Sequence, residues 1–186
     1  ALFRAAAEVV GKHGYKGASI GRITERAGLA QGTFYLYFES QQDLFDQLLP
    51  TVGEEILTFV TEAVHGANDI FEVEERGIRA FFRYLLDNPG FFRVLNEADV
   101  AAPKAYEKHF QILSKRYLSA MQRAVERGQI KNYTKPELEV IIYLLMAARD
   151  YIYVKFMRGQ KRPKPLPEWV INAYMRFIRN GLKGQP

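Results

Sequence analysis

A chain of 186 residues, 48% hydrophobic and 13% aromatic, has room for one sizeable domain or two small ones and lies far from disordered composition. No apolar run is long enough to span a bilayer, no signal-peptide pattern is present, and zero cysteines exclude disulfides and thiolate metal sites, which fits a reducing cytoplasm. The net charge of +5 is uneven: residues 1–50 carry five basic and five acidic side chains and residues 151–186 eight against one, so the excess is no basic DNA-binding face at the N-terminus.

The chain begins at Ala1, without a methionine and already within a helical pattern, so a segment upstream is expected. Leu2, Phe3, Ala6, Val9 and Val10 share one helical face, and Gly14 lies where a glycine ends a helix. Ser19 is placed to cap a second helix, whose Ile20, Ile23 and Ala27 form an inward stripe before Gly28 stops it. A short third helix is predicted around Gly32–Tyr37. A fourth begins its apolar face with Leu44, Phe45, Leu48 and Leu49 and runs to about Val64, with Pro50 expected to kink or divide it.

Further on, Asp69 and Glu72 form a D-x-x-E capping box that starts a helix ending at Asp87-Asn88-Pro89. A short helix near Phe91–Val100 follows, then a long one from about Pro103 to Arg127, closed by Gly128. Thr134 and Glu137 make a second capping box, for a helix from Lys135 to about Arg158. The loop from Gly159 to Pro167 is basic and stiffened by prolines; a solvated loop is the simpler reading, contact with nucleic acid or an anionic membrane the other. The last helix runs from about Glu168 to Asn180. No period-2 strand and no repeat emerges, so the expected fold class is all-α with about nine helices.

Residues Ser19–Phe38 have the form of a helix-turn-helix, two short helices around a break at Gly28. In that motif the second helix enters the major groove. Phe34 and Phe38, four apart, would face inward, while Thr33, Tyr35 and Tyr37 fall elsewhere and can donate hydroxyl hydrogen bonds to phosphate. Gln31 can pair with a base edge such as adenine. On this pattern alone, a helical hairpin whose aromatics are only core fits equally well.

The order of signals is more specific. Gly14-Tyr15, Ser19-Ile20, Ala27-Gly28-Leu29, Gly32-Thr33-Phe34-Tyr35-x-Tyr37-Phe38 and Ser40-x-x-x-Leu44 follow one another, and residues 1–49 thereby resemble the DNA-binding domain of the tetracycline-repressor (TetR) family of bacterial transcription regulators. The resemblance implies a DNA-binding domain over 1–49, made of a three-helix helix-turn-helix and the start of a connecting helix, and a helical ligand-binding and dimerisation domain over 50–186. It implies DNA contacts at Ser19, Arg22, Gln31, Thr33, Tyr35, Tyr37 and Gln41. Ala30, Gln31 and Gln41 depart from the family pattern, each losing a cap or a charge, so binding should lean on tyrosines, helix N-termini, Arg22 and a basic arm before Ala1.

His13, His65 and His109 lie on separate segments without ligand spacing, so no metal or other cofactor is expected. No phosphate loop or nucleophile motif is present; an enzyme would need a site assembled across helices. TetR-like proteins enclose an effector pocket in the C-terminal domain, and Phe82, Leu85, Phe92, Phe110, Leu113, Tyr117, Tyr143, Met146, Arg149 and Tyr151 are candidate linings. Arg149 and Asp150, unusual in an apolar helix, are either a salt-bridged or surface pair or polar anchors. The stripe Trp169, Val170, Ala173, Tyr174, Phe177 and Ile178 is the candidate homodimer surface, since TetR-family dimers pack their last two helices as a four-helix bundle. The reading is a repressor released from a palindromic double-stranded DNA operator by a small hydrophobic or amphipathic effector; the alternative is a helical ligand-binding or interaction protein that no longer binds DNA.

Overall fold

The structure is a computed structural model describing residues 1–160 and 164–183. Within them lie nine α-helices and no strand: α1 (Leu2–Gly17), α2 (Ile20–Ala27), α3 (Gln31–Phe34), α4 (Gln41–Val64), α5 (Ile70–Asp87), α6 (Phe91–Ala101), α7 (Pro103–Glu126), α8 (Lys135–Phe156) and α9 (Glu168–Lys183). No described helix is long and apolar enough to cross a membrane. The chain packs as two compact units. One holds Ala1–Leu57 and Asp87–Ile112; the other holds Thr58–Leu86 and the described residues from Leu113 on.

In the first unit, α1 buries Leu2, Ala5, Ala6, Val9 and Val10. Its helical geometry breaks at Gly14, where φ is 73°. The break frees the N–H of Tyr15, which donates to Glu97 Oε2 of α6 at 3.0 Å, while the Tyr15 hydroxyl donates to Val94 O at 3.3 Å. Arg93, also on α6, donates to Lys12 O at 3.1 Å. These bonds tie α6 to α1.

Pro50 does not divide its helix. α4 runs unbroken from Gln41 to Val64 with Pro50 inside it. A mid-helix proline costs about 3 kcal/mol, but Leu48, Leu49, Val52, Ile56 and Leu57 are buried on either side of it, and that packing holds the helix together. Ser40 Oγ accepts the Asp43 N–H at 3.0 Å and Asp43 accepts the Glu39 N–H at 3.1 Å, so α4 opens with an acid-containing cap of its own. At Gly53, α4 and α7 approach so closely that a Cβ would lie 2.3 Å from His109 Nδ1.

In the second unit, Asp69 accepts the Glu72 N–H at 2.8 Å as expected, but Glu72 reaches past Asp69 to the N–H of Asn68. The Thr134–Glu137 box forms in full, its carboxylate accepting from both the N–H and the hydroxyl of Thr134. The α8 helix ends at Phe156, two residues short of expectation, and α9 runs three residues further, to Lys183. Arg79 of α5 bonds Glu75 at 3.0 Å and also Glu168, which fastens the start of α9. Of the basic loop, Lys161, Arg162 and Pro163 lie outside the described residues.

Candidate nucleic-acid interface and a buried polar cluster

The helix-turn-helix is built from α2, α3 and the turns around them. Ser19 has extended backbone, and its Oγ accepts the N–H of Arg22 at 3.4 Å. Gly28 adopts φ 69° and its N–H bonds Glu25 O, while Leu29 bonds Thr24 O at 2.9 Å. A side chain in that left-handed conformation is strained, which is why a glycine sits in the turn. Ala30 precedes α3 in extended backbone and supplies no side-chain cap.

The third helix is shorter than its pattern. Regular α-helix covers only Gln31–Phe34, and the chain continues to Tyr37 as tight turns, with Leu36 bonded to Thr33 O at 3.2 Å and Tyr37 to Phe34 O at 3.0 Å. The division of faces is sharp. Phe34 is fully buried and Phe38 nearly so, and Phe38 packs against both Phe34 and Phe3 at centroid distances of 5.4 Å. By contrast Tyr35 is 57%, Leu36 79% and Tyr37 67% exposed.

Around these residues, Gln31 is exposed, and Thr33 and Gln41 are half-buried. Arg22 is exposed and donates one N–H to Gly17 O at 2.6 Å, so it also braces the turn between α1 and α2. All seven expected DNA-contact residues therefore lie in one segment, Ser19–Gln41. Leu36, exposed in the same segment, was not among the expected positions.

The second unit holds a different kind of cluster. Glu74 of α5 is buried and faces three donors from three helices. Arg149 of α8 donates Nη2 to Glu74 Oε1 at 2.7 Å, and the hydroxyls of Tyr117 on α7 and Tyr174 on α9 donate to the same carboxylate. Burial would raise the pKa of Glu74, but the Arg149 guanidinium and the two phenols outweigh it, and the acid is held below its ordinary range. Burial and the carboxylate push both tyrosines up. The rings of Tyr117 and Phe81 lie 5.6 and 6.0 Å from the guanidinium carbon, and Arg149 Nε is buried without a hydrogen-bond partner.

Comparison with known proteins places this geometry. The model for bacterial regulatory proteins of the tetR family matches residues 2–48. YvdT of Bacillus subtilis (strain 168), an HTH-type transcriptional regulator, is 40% identical over 76 residues, 39% of this chain and 37% of that protein. YhgD of the same organism, also an HTH-type transcriptional regulator, is 21% identical over 184 residues, 97% of this chain and 94% of the other. The fold matches FadR from Bacillus subtilis, crystallised with stearoyl-CoA, at a TM-score of 0.82 and 19% identity over 97% of each chain. It matches the TetR-family regulator PfmR from Thermus thermophilus at 0.72 and 18% identity, over 95% of this chain and 96% of that one.

Residues 2–48 are a domain of the tetR family. The full-length relative YhgD, like YvdT, is a helix-turn-helix transcription regulator.

Within this chain the remaining expected positions scatter. Phe92 is buried and Phe110 half-buried in the first unit. Phe82, Leu85 and Met146 are buried in the second, and Leu113 is half-buried there. Tyr117 and Arg149 meet at Glu74, not at Asp150, so the neighbouring acid is not the partner of Arg149. Tyr143 and Tyr151 stand exposed on α8, in an outward row with Val140, Leu144 and Val154. Their spacing follows the helical repeat, which alone does not say which of two apolar faces is inside.

The dimer stripe likewise divides. Val170, Tyr174 and Ile178 are buried within the chain, whereas Trp169, Ala173 and Phe177 point outward. Trp169 also packs edge-on to Phe156 at 5.5 Å, joining the ends of α8 and α9. Neither Glu74 nor the bond that Tyr174 makes to it was read from the sequence. The available signal was an acid at an inward position between Phe71 and Ile78.

Proposed function

We propose that this chain is a TetR-family regulator, a homodimeric repressor that leaves a palindromic operator when a small hydrophobic or amphipathic effector binds. The observation that carries the DNA half is the outward presentation of Tyr35, Leu36 and Tyr37 over a floor of buried Phe34 and Phe38. In this reading residues 1–49 read DNA, with contacts from Ser19, Arg22, Gln31, Thr33, Tyr35, Tyr37 and Gln41, and residues 50–186 sense the effector and dimerise. The exposed apolar row of α8 (Val140, Tyr143, Leu144, Tyr151, Val154) with Trp169 and Phe177 of α9 is the surface that a second copy covers.

For the effector, the second unit holds buried Phe82, Leu85 and Met146, and Tyr117 and Arg149 joined through Glu74. The similarity to FadR crystallised with stearoyl-CoA makes a long-chain acyl-CoA the first compound to try. The effector acts by binding one dimer geometry better than the other, with a coupling of about 1–3 kcal/mol. Residues of α4 up to Leu57 pack in the first unit and those from Thr58 in the second, so this helix is the element that carries the shift.

The test is a salt series of binding to duplexes selected from a random pool. Saturable binding is expected, with a slope of log K on log salt no steeper than about −4, because residues 1–50 are charge-balanced and few phosphates are neutralised. No saturable binding even at low salt would leave the other reading, a helical ligand-binding protein that does not engage DNA.

A further inference from the structure

We propose that Leu36 is a specificity-determining residue that reads the 5-methyl group of one thymine in each operator half-site. The inference rests on the DNA-binding reading above. Leu36 stands in the tight turns that follow α3, its N–H bonded to Thr33 O at 3.2 Å. Phe34 and Phe38 are buried, so Leu36 is the apex of the reading head, more exposed than Tyr35 or Tyr37 on either side of it. A large apolar side chain held in water at that point contributes nothing to the core. Whatever covers it must enter from the DNA side.

The chemistry of the groove narrows the choice. Base edges in the major groove present donors, acceptors and a single apolar group, the thymine methyl. Leucine carries no donor or acceptor. Against a G·C edge it would desolvate polar groups and return no hydrogen bond, which is unfavourable. Against a thymine it buries two apolar surfaces at once. The charge pattern points the same way, because residues 30–45 hold no lysine or arginine and the contact cannot rely on phosphate charge alone. The flanking Tyr35 and Tyr37 hydroxyls are then the phosphate donors that set the depth at which Leu36 meets the base.

The experiment uses the selected operator with each thymine of the half-site replaced, one position at a time and symmetrically, by deoxyuridine, which lacks only the methyl group. Binding of the whole chain is compared with that of Leu36→Ala and Leu36→Gln. Both variants should fold normally, because the residue is exposed. At one position, deoxyuridine should weaken wild-type binding roughly fourfold per half-site, the worth of one buried methyl group. The same replacement should leave both variants unchanged. If wild type and variants all bind saturably and respond alike at every thymine, the role of Leu36 is overturned while the DNA-binding reading stands. If none binds any duplex at low salt, that reading falls and Leu36 with it.

Discussion

Glu74 occupies an inward position on α5 where its neighbours Phe71 and Ile78 are core residues. A carboxylate there is tolerable only because Arg149 supplies the opposite charge and two tyrosines supply hydrogen bonds. Replacing Arg149 by Met should therefore leave an uncompensated buried acid and cost about 3–5 kcal/mol of stability, measured by denaturant unfolding. Adding Glu74→Leu to that variant should recover most of the loss, since the pair is then removed together.

His109 gives the chain an acid-sensitive group of known sign. Burial lowers its pKa from 6.5 to about 4, with Glu54 opposing. Above pH 6.5 the imidazole is neutral in both folded and unfolded chains. Between 6.5 and about 4 the unfolded chain takes a proton that the folded one refuses, so stability falls as pH falls. Asp150 acts in the other direction. Burial raises its pKa from 3.8 to about 6, against Arg149, so its effect favours folding as pH drops. The two partly cancel, and the difference curve between wild type and His109→Gln isolates the first. That difference should shrink between pH 6.5 and 4 and be flat above.

At the scale of elements, most boundaries could be read from local chemistry. Ser19, Gly28, Thr134 and Glu137 act where they stand, because caps and left-handed turns depend on residues three or four apart. Pro50 shows the limit of such reading, since burial along α4 outweighs a local preference for breaking the helix. Gly53 shows another. Nothing in its neighbourhood in the sequence marks it, yet its missing side chain admits the His109 ring. Gly53→Ala should destabilise the protein by about 1–3 kcal/mol through overpacking, read as a lowered denaturation midpoint, and His109→Ala in the same chain should relieve part of it.

For the whole molecule the proposed dimer is the feature that links the apolar face to DNA binding. Phe177 is 76% exposed and Trp169 63%, next to the exposed row of α8. If a second copy covers them, Phe177→Glu should weaken dimerisation by about 2 kcal/mol or more, the scale of an interface hot spot. Analytical ultracentrifugation would read it as a monomer at concentrations where the wild type is dimeric. Operator affinity should fall with it, because two heads on one palindrome reinforce each other. An unchanged sedimentation profile would move the dimer surface elsewhere.

The sequence alone determined the helices, the helix-turn-helix and the split between Phe34 and Phe38 inside and Tyr35 and Tyr37 outside. All of these follow from periodicity and caps that act within a few residues. Only the tertiary structure decided that Arg149 pairs with Glu74, 75 residues away, rather than with adjacent Asp150. It also decided that Val170, Tyr174 and Ile178 turn inward while Tyr143, Tyr151 and Phe177 do not. An amphipathic or wholly apolar helix declares that it has faces to bury, but which face meets which partner depends on the helices that pack beside it.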